Sequence, residues 1–201
     1  MRVATADPTQ IPEPSITRFL FADSRMAIFW LVVRLYVGYE WLRAGWEKIV
    51  DPSGVWVGSK AGAAVAGFAK GALAKTGGEH PDVQGWYAWF LRELVIPHAT
   101  LFSYLVAWGE VLVGIALILG VLTGIAAFFG AVMNANYLLA GAVSTNPILL
   151  IGAIGLMLAW RIAGYIGLDR YVLPLVGVPG HAGPVAERIL HRHASPAVTP
   201  R

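Results

Sequence analysis

Four apolar runs of nearly membrane-spanning length restrict the fold of this chain more than any other feature. They extend from Met26 to Lys48, from Ala99 to Leu119, from Leu122 to Val143 and from Pro147 to Ile166. A helix of about 20 apolar residues crosses the hydrocarbon core of a bilayer, which is roughly 30 Å thick. Charged residues make up 13% of the chain, whereas they make up about a quarter of a soluble domain. The sequence therefore predicts a protein whose solvent is lipid.

Short links determine how the last three runs are arranged. Gly120-Val121 and residues 144–146 are too short to join anything but antiparallel neighbours. The predicted fold is an all-α membrane protein, an antiparallel four-transmembrane-helix bundle with an additional interfacial helical segment between helices 1 and 2. Residues 1–25 are expected to form a polar N-terminal tail, 26–175 the membrane domain, and 176–201 a tail that contains proline and histidine.

The long connection between the first two runs, residues 49–98, is not expected to be loop throughout. Its Ala/Gly-rich part, 55–75, suits either a surface helix or a re-entrant segment, because its lysines are not confined to one face. Farther along, Asp82 precedes a cluster of aromatic residues. The sequence predicts a short helix there, capped by Asp82 and lying at the level of the lipid headgroups.

Basic residues predict the orientation in the membrane. Cytoplasmic segments carry an excess of lysine and arginine. The two tails carry seven basic residues near or beyond the runs, and the long connection carries four: Arg2, Arg18, Arg25, Arg170, Arg188, Arg192 and Arg201 against Lys60, Lys70, Lys75 and Arg92. We expect a multi-pass protein of the cytoplasmic (inner) membrane, with both termini in the cytoplasm.

Two charged residues within the runs fall at the same expected depth. Counting from Met26 puts Arg34 about 12 Å below one membrane surface, and counting from Leu119 puts Glu110 about 13 Å below it. An unpaired charge at such depth costs at least about 2.5 kcal/mol. We therefore predict a buried ion pair between Arg34 and Glu110.

Other polar residues define a second expected level. Glu40 falls near the depth of Asn134 and Asn136 on the third run. Glu40, Arg43 and Glu47 share one helical stripe, in which opposite charges can pair, and Lys48 is expected to reach the membrane surface. A purely structural role is the alternative for all these charges. Tyr36 and Trp41 could line a ligand cleft or simply pack.

Several classes of chemistry find no support in the residues. The chain has no cysteine, so disulfides and cysteine-held iron–sulfur clusters are excluded. It has no nucleotide-binding glycine motif, so flavin binding is not expected. Its basic residues are scattered and its net charge is +3, so nucleic-acid binding is not expected. The histidines lie outside the runs or at an edge, where they cannot ligate a membrane haem. His191 and His193 are expected to be solvated, so no metal site is predicted.

Two segments resemble the DoxX/DoxD family of small membrane proteins. The stretch RLYVGYEWLRAGWEKIVDP, beginning at Arg34, looks like the opening helix of that family, and GEVLVGIALILGVLTG, with Glu110, looks like its second helix. The last run and the GLDRYVLP segment around Asp169 resemble its close. The resemblance implies a four-helix membrane subunit. In one branch of the family this subunit belongs to a thiosulfate:quinone oxidoreductase, usually with a second polypeptide region.

Three functions follow from the residues and the resemblance together. The first is a quinone-linked redox subunit that works with a soluble or peripheral redox partner protein. The second is a non-catalytic anchor or assembly partner for a soluble redox enzyme, and the third is a small-solute or proton conductor, which would need a homo-oligomer. For the first, the candidate catalytic residues are Glu110, Arg34 and Glu40, and the candidate quinone contacts are Tyr36, Trp41, Asn134 and Asn136.

Overall fold

The computed structural model describes residues 13–178, and the regular structure in that part of the chain is entirely helical. A 3-10 turn at Ser24–Met26 precedes α2, and a π-helical turn at Leu91–Val95 follows α4. The helices are α1 (Ser15–Ala22), α2 (Ala27–Ile49), α3 (Ala63–Leu73), α4 (Gly85–Phe90), α5 (Ala99–Leu119), α6 (Thr123–Leu139), α7 (Asn146–Leu158), α8 (Trp160–Ala163) and α9 (Asp169–Leu175).

The four apolar runs form helices α2, α5, α6 and α7, as predicted. α5 is long and apolar enough to cross a membrane, whereas α6 and α7 are shorter apolar helices. α6 ends four residues before the predicted Val143, because Gly141 takes a positive φ and Ala142 N–H closes back on the Tyr137 carbonyl. The fourth run is interrupted at Ala159 and continues as α8.

Glycines set the register between α2 and α5. A Cβ atom added to Gly45 would lie 2.7 Å from the backbone nitrogen of Val111, and one added to Gly114 would lie 2.6 Å from Leu42 Cα. The two helix backbones therefore approach as closely as small residues permit. In this antiparallel pair, residue 45 lies beside 111 and residue 42 beside 114.

One end of the bundle contains α1, the α5–α6 turn and the segment before α9. Leu168 and Asp169 donate their N–H groups to the carbonyls of Leu119 and Gly120, at 3.1 and 2.7 Å. Trp30 of α2 donates its indole N–H to the Leu20 carbonyl at 2.7 Å.

The prediction that residues 1–25 form a polar tail is wrong for Ser15–Ala22. Residues Ser15–Ala22 are the helix α1. This helix has an apolar partner in the bundle, because Phe21 packs on Trp30 with ring centres 5.7 Å apart. Such a partner is not visible in the local sequence. Residues 1–12 and most of the predicted C-terminal tail, 179–201 with His191 and His193, lie outside the described residues.

The opposite end contains the long connection and the α6–α7 turn. Helices α3 and α4 share an apolar cluster that includes Val65, Ala69, Val83 and Leu91, so the connection is indeed not loop throughout. Lys75 Nζ ties it to the Gly141 carbonyl at 2.7 Å.

Asp82 does not cap α4, contrary to the sequence prediction. The helix begins at Gly85 after Gln84, with no side-chain cap. Val83 N–H donates instead to the Lys75 carbonyl at 3.3 Å. This bond holds the residue after Asp82 outside the helix.

Large apolar side chains point outward from all four main helices. Ile28, Leu112, Ile125 and Ile151 are 68%, 63%, 55% and 71% exposed. Monomeric soluble proteins rarely expose apolar surface of this extent. Such a surface is typical of a helix bundle surrounded by lipid.

Candidate functional site

Three side chains from three helices meet inside the bundle. Glu110 of α5 is 1% exposed, and each of its carboxylate oxygens accepts one hydrogen bond. Lys48 Nζ of α2 donates to Oε2 at 2.6 Å, and the Tyr137 hydroxyl of α6 donates to Oε1 at 2.6 Å. We call Lys48, Glu110 and Tyr137 the Glu110 cluster.

Aromatic rings surround this cluster. Lys48 Nζ lies 5.0 Å from the ring centre of Trp56, within the range of a cation–π attraction. The Tyr137 ring stacks on Trp41 at 6.5 Å, and Phe68 meets Tyr137 edge-on at 6.0 Å. These rings fix the donors on both sides of the carboxylate and limit access of water to it.

The predicted ion pair between Arg34 and Glu110 is wrong. The depth count assumed that α2 begins and α5 ends at one membrane surface. The glycine contacts instead place α5 residue 111 beside α2 residue 45, so α2 extends well beyond the end of α5. In this register Glu110 meets Lys48, 14 residues after Arg34 and about 21 Å farther along the helix. Lys48 Nζ therefore points to Glu110, although the residue itself lies in the last turn of α2.

Arg34 packs at the other end of the bundle. Its side chain is buried, and Nη2 donates to the Ile166 carbonyl at 2.7 Å, while Nε and Nη1 have no hydrogen-bond partner within residues 13–178. A Cβ on Gly120 would collide with the guanidinium, so this position needs glycine. Asp169 attracts Arg34 electrostatically and caps α6 by accepting from Leu122 N–H at 2.5 Å and Thr123 N–H at 2.9 Å.

The remaining charges of α2 lie away from the Glu110 cluster. Arg43 and Glu47 form the predicted pair within the stripe, with Nε and Oε1 2.9 Å apart, but both side chains are more than half exposed. Glu40 is partly buried one turn before Arg43. Tyr36 is 45% exposed on the outer surface.

Trp41 and the two asparagines lie near the cluster. Asn134 is completely buried, and in the part of the chain that the structure describes neither of its side-chain polar atoms has a partner. The same holds for Trp41 Nε1, which lies over Gly130, one turn before Asn134. Asn136 accepts from the Tyr87 hydroxyl, through its carbonyl at 2.9 Å and its side-chain oxygen at 3.2 Å. Burial raises the pKa of Tyr87 to about 12, so this hydroxyl keeps its proton.

An apolar groove of about 700 Å³ leads to the cluster. It runs between α5 and α6 and under α3 and α4, from Leu122 to Tyr137, which is about 22 Å along α6. Its lining is almost entirely apolar. Polar side chains line it where the long connection covers it, and these are Trp56, Tyr87, Asn136 and Tyr137.

The sequence singles out Glu110 and Asn136 as candidate site residues, which stay predictions, but it does not predict the contacts of Lys48, Tyr137 and Asp169. The spacing of small residues could have revealed Lys48, because aligning Gly38, Leu42 and Gly45 with Leu117, Gly114 and Val111 brings Lys48 to the level of Glu110. No local signal indicates that Asp169 caps α6, a different helix from the one that it begins. Among residues 13–178, no three acidic or histidine side chains gather as a metal site would require.

A family model describes most of this architecture. The DoxX model matches residues 29–141, more than half of the chain. The chain belongs to the DoxX family. The DoxX match covers nearly all of α2 and the chain through α6. It includes Arg34 and the whole Glu110 cluster, but it ends before Asp169. DoxX is a family of membrane proteins. No curated protein and no solved structure was found to match the chain.

Proposed function

We propose that this protein is a quinone-binding membrane subunit of a redox system, in which the Glu110 cluster handles protons. The observation that carries the proposal is the apolar groove lined at one end by Tyr137, whose hydroxyl is hydrogen-bonded to a buried, lysine-paired carboxylate. A membrane quinone has the matching chemistry, a long apolar tail and a polar head.

The proposed architecture has four membrane-spanning helices: α2, α5, α6, and α7 with its continuation α8. Their outward apolar side chains support this arrangement. α7 and α8 together cover residues 146–163, about 27 Å of helix, close to the thickness of the hydrocarbon core. The excess of arginine in the tails favours both termini in the cytoplasm and the long connection outside the inner membrane.

The groove suits the two parts of a quinone separately. Its apolar length between α5 and α6 would hold the tail, as hydrophobic pockets hold most ligand surface. The head would lie near Tyr137, Asn136 and Tyr87, whose polar atoms are the ones available at that end. Trp41 stacks on Tyr137, and its Nε1, buried without a partner among the described residues, would donate to an ordered water.

A quinone bound there would supply two-electron, two-proton chemistry, with electrons from a reduced donor on a partner protein. The Tyr137 hydroxyl, which donates its one proton to Glu110, would accept a hydrogen bond from the hydroxyl of a reduced head, and it would donate to the carbonyl of an oxidised head on turning toward the groove. Lys48 balances the negative charge of Glu110. Arg34 and Glu40, the other expected catalytic residues, lie outside this constellation, so the proposal assigns the proton chemistry to Glu110.

The first experiment measures binding of decylubiquinone to the purified protein in nanodiscs by thermal shift. We expect binding by the wild type and weaker binding by Gly109→Leu, because Gly109 lines the groove and its nearest neighbour, Met133 Sδ, leaves room for a side chain that fills the space. Gly67→Leu, at a glycine of α3 with open space around it, is the matched control. Equal binding by both variants would contradict the groove as the site.

The second experiment measures quinone reduction per folded protein in native membranes supplied with candidate donors, including thiosulfate. Glu110→Gln keeps the size of the side chain but removes the carboxylate. Turnover per folded protein should fall well below that of the wild type, although loss of the ion pair also lowers the amount of folded protein. A wild type that reduces no quinone with any donor, yet retains a soluble enzyme on purification, would favour the anchor function instead.

A further inference from the structure

We infer that protons pass between water and the groove through Lys48, Glu110 and Tyr137, with Lys48 as the residue that exchanges protons with water. The inference rests on the proposed function, because it provides the protons that quinone chemistry in the groove consumes. Its basis is geometric: the cluster joins two different surroundings through one unbroken chain of hydrogen bonds.

The two ends of this hydrogen-bonded path face different surroundings. Tyr137 lines the groove. Glu110 in the middle is 1% exposed, whereas the Lys48 side chain is 17% exposed. α2 ends at Ile49, and the next residues form a polar turn in which the Asp51 carboxylate accepts from Ser53 N–H and Oγ at 2.9 and 2.7 Å. Water therefore reaches the cluster at Lys48, one helical turn from this polar edge.

Each proton moves in balanced steps. The Tyr137 hydroxyl first turns its one proton from Glu110 Oε1 to a ligand oxygen in the groove and releases it there. The Lys48 ammonium gives a proton to Glu110 Oε2. Rotation of the carboxyl group exchanges its two oxygens and presents that proton to the Tyr137 oxygen. The Lys48 amine then takes a proton from water, so all three residues return to their starting state and one proton has crossed.

Other titratable groups near the cluster are engaged elsewhere. On α2, Glu47 pairs with Arg43 on the exposed face. In the long connection, the Tyr87 hydroxyl donates to Asn136, and Asp51 holds Ser53. These bonds leave Lys48 and Tyr137 as the side chains that donate to Glu110 among the described residues.

The position of Lys48 determines the side of the membrane from which protons enter the path. Lys48 lies at the end of α2 from which the long connection departs, opposite the end that contains Arg34 and Asp169. Protons for the groove are therefore drawn from the side of the membrane that the long connection occupies. In the proposed orientation this is the outer side.

Lys48→Arg separates a proton path from a purely structural ion pair. Arginine keeps the positive charge and the bond to the carboxylate but does not give up its proton in proteins. Lys48→Met removes both functions. Thermal stability in detergent identifies which variants are folded, and we expect Lys48→Arg to resemble the wild type in that measurement.

The deciding readout is hydrogen–deuterium exchange of the Tyr137 hydroxyl in the protein without ligand, in nanodiscs. Infrared difference spectra between the wild type and Tyr137→Phe identify the band, and transfer into D₂O gives its exchange rate. We expect Lys48→Arg and Lys48→Met both to slow exchange by about tenfold or more, since one proton-transfer group typically contributes about 10²–10⁴ in rate. Turnover with decylubiquinone should fall in parallel.

The outcomes separate the inference from the proposed function. If Lys48→Arg is folded and exchanges Tyr137 as fast as the wild type does, Lys48 is not the entry point and the inference is wrong, whatever quinone does. If exchange slows but the wild type neither binds nor reduces decylubiquinone, the proton path is supported and the proposed function fails.

Discussion

Lys48 of α2 and Glu110 of α5 are 62 residues apart in the sequence, and their charged atoms lie 2.6 Å apart inside the bundle. A second pair on the same helix, Arg43 with Glu47, has a similar distance of 2.9 Å but is exposed. The chain thus carries an internal comparison between a buried and an exposed ion pair.

Removing one member of the buried pair should be strongly destabilising. Glu110→Gln and Lys48→Met should each lower the free energy of unfolding in detergent by about 3–5 kcal/mol, because the remaining charge stays buried without a partner. The exchanged variant, Lys48→Glu with Glu110→Lys, should recover part of the loss. Arg43→Gln is the control and should change stability little. Additive effects in the exchanged variant would show that the two residues do not interact.

Gly114→Ala tests the register of α2 against α5. The added methyl group would overlap the Leu42 backbone, so the helices must move apart, and overpacking of this kind costs about 1–3 kcal/mol. Gly67→Ala on α3 meets open space and should be neutral or stabilising, by up to about 1 kcal/mol, because alanine favours helix. Thermal unfolding of the two variants measures the difference. A tolerated Gly114→Ala would mean that the helices do not approach this closely.

Asp169→Ala should loosen the end of the bundle that contains Arg34. The substitution leaves the N–H groups of Leu122 and Thr123 without their acceptor and should cost about 1–3 kcal/mol. Asp169→Asn keeps one oxygen acceptor and should cost less. Asp51→Ala removes a similar cap in an exposed turn and serves as the control. Equal unfolding temperatures for the wild type and Asp169→Ala would contradict the role of this carboxylate.

Single cysteines at Arg18 and Glu79 test the proposed topology. Both side chains are exposed, and they lie at opposite ends of the bundle. A membrane-impermeant maleimide applied to intact cells should label Glu79→Cys, whereas Arg18→Cys should be labelled only after the membrane is permeabilised. Labelling of both from the same side would refute four spanning helices.

The helices could be predicted from the sequence because their cause is local: runs of apolar residues, ended by glycine at positions 120 and 141. The contacts of Glu110 could not be predicted by counting depth, because its partner depends on how far α2 slides along α5. Close approach at Gly45 and Gly114 decides that offset. The hydrogen bond of Tyr137 could not be predicted for a similar reason. An aromatic residue at the end of an apolar run is typical of simple packing, and the helix register decides whether a carboxylate lies beside it.

The ribosome delivers Lys48 to the membrane 62 residues before Glu110. During that interval α2 carries five charged residues, of which Arg43 and Glu47 form an ion pair within the helix. Charges within a membrane helix are costly unless they are paired, so the first helix is a poor insertion signal by itself. We expect chains that stop at residue 98 to be extracted from membranes by alkaline carbonate more readily than the full chain. Entry of α2 into the bilayer is therefore completed by a helix made much later, and biogenesis of this protein depends on keeping the nascent first helix near the insertion machinery until α5 emerges.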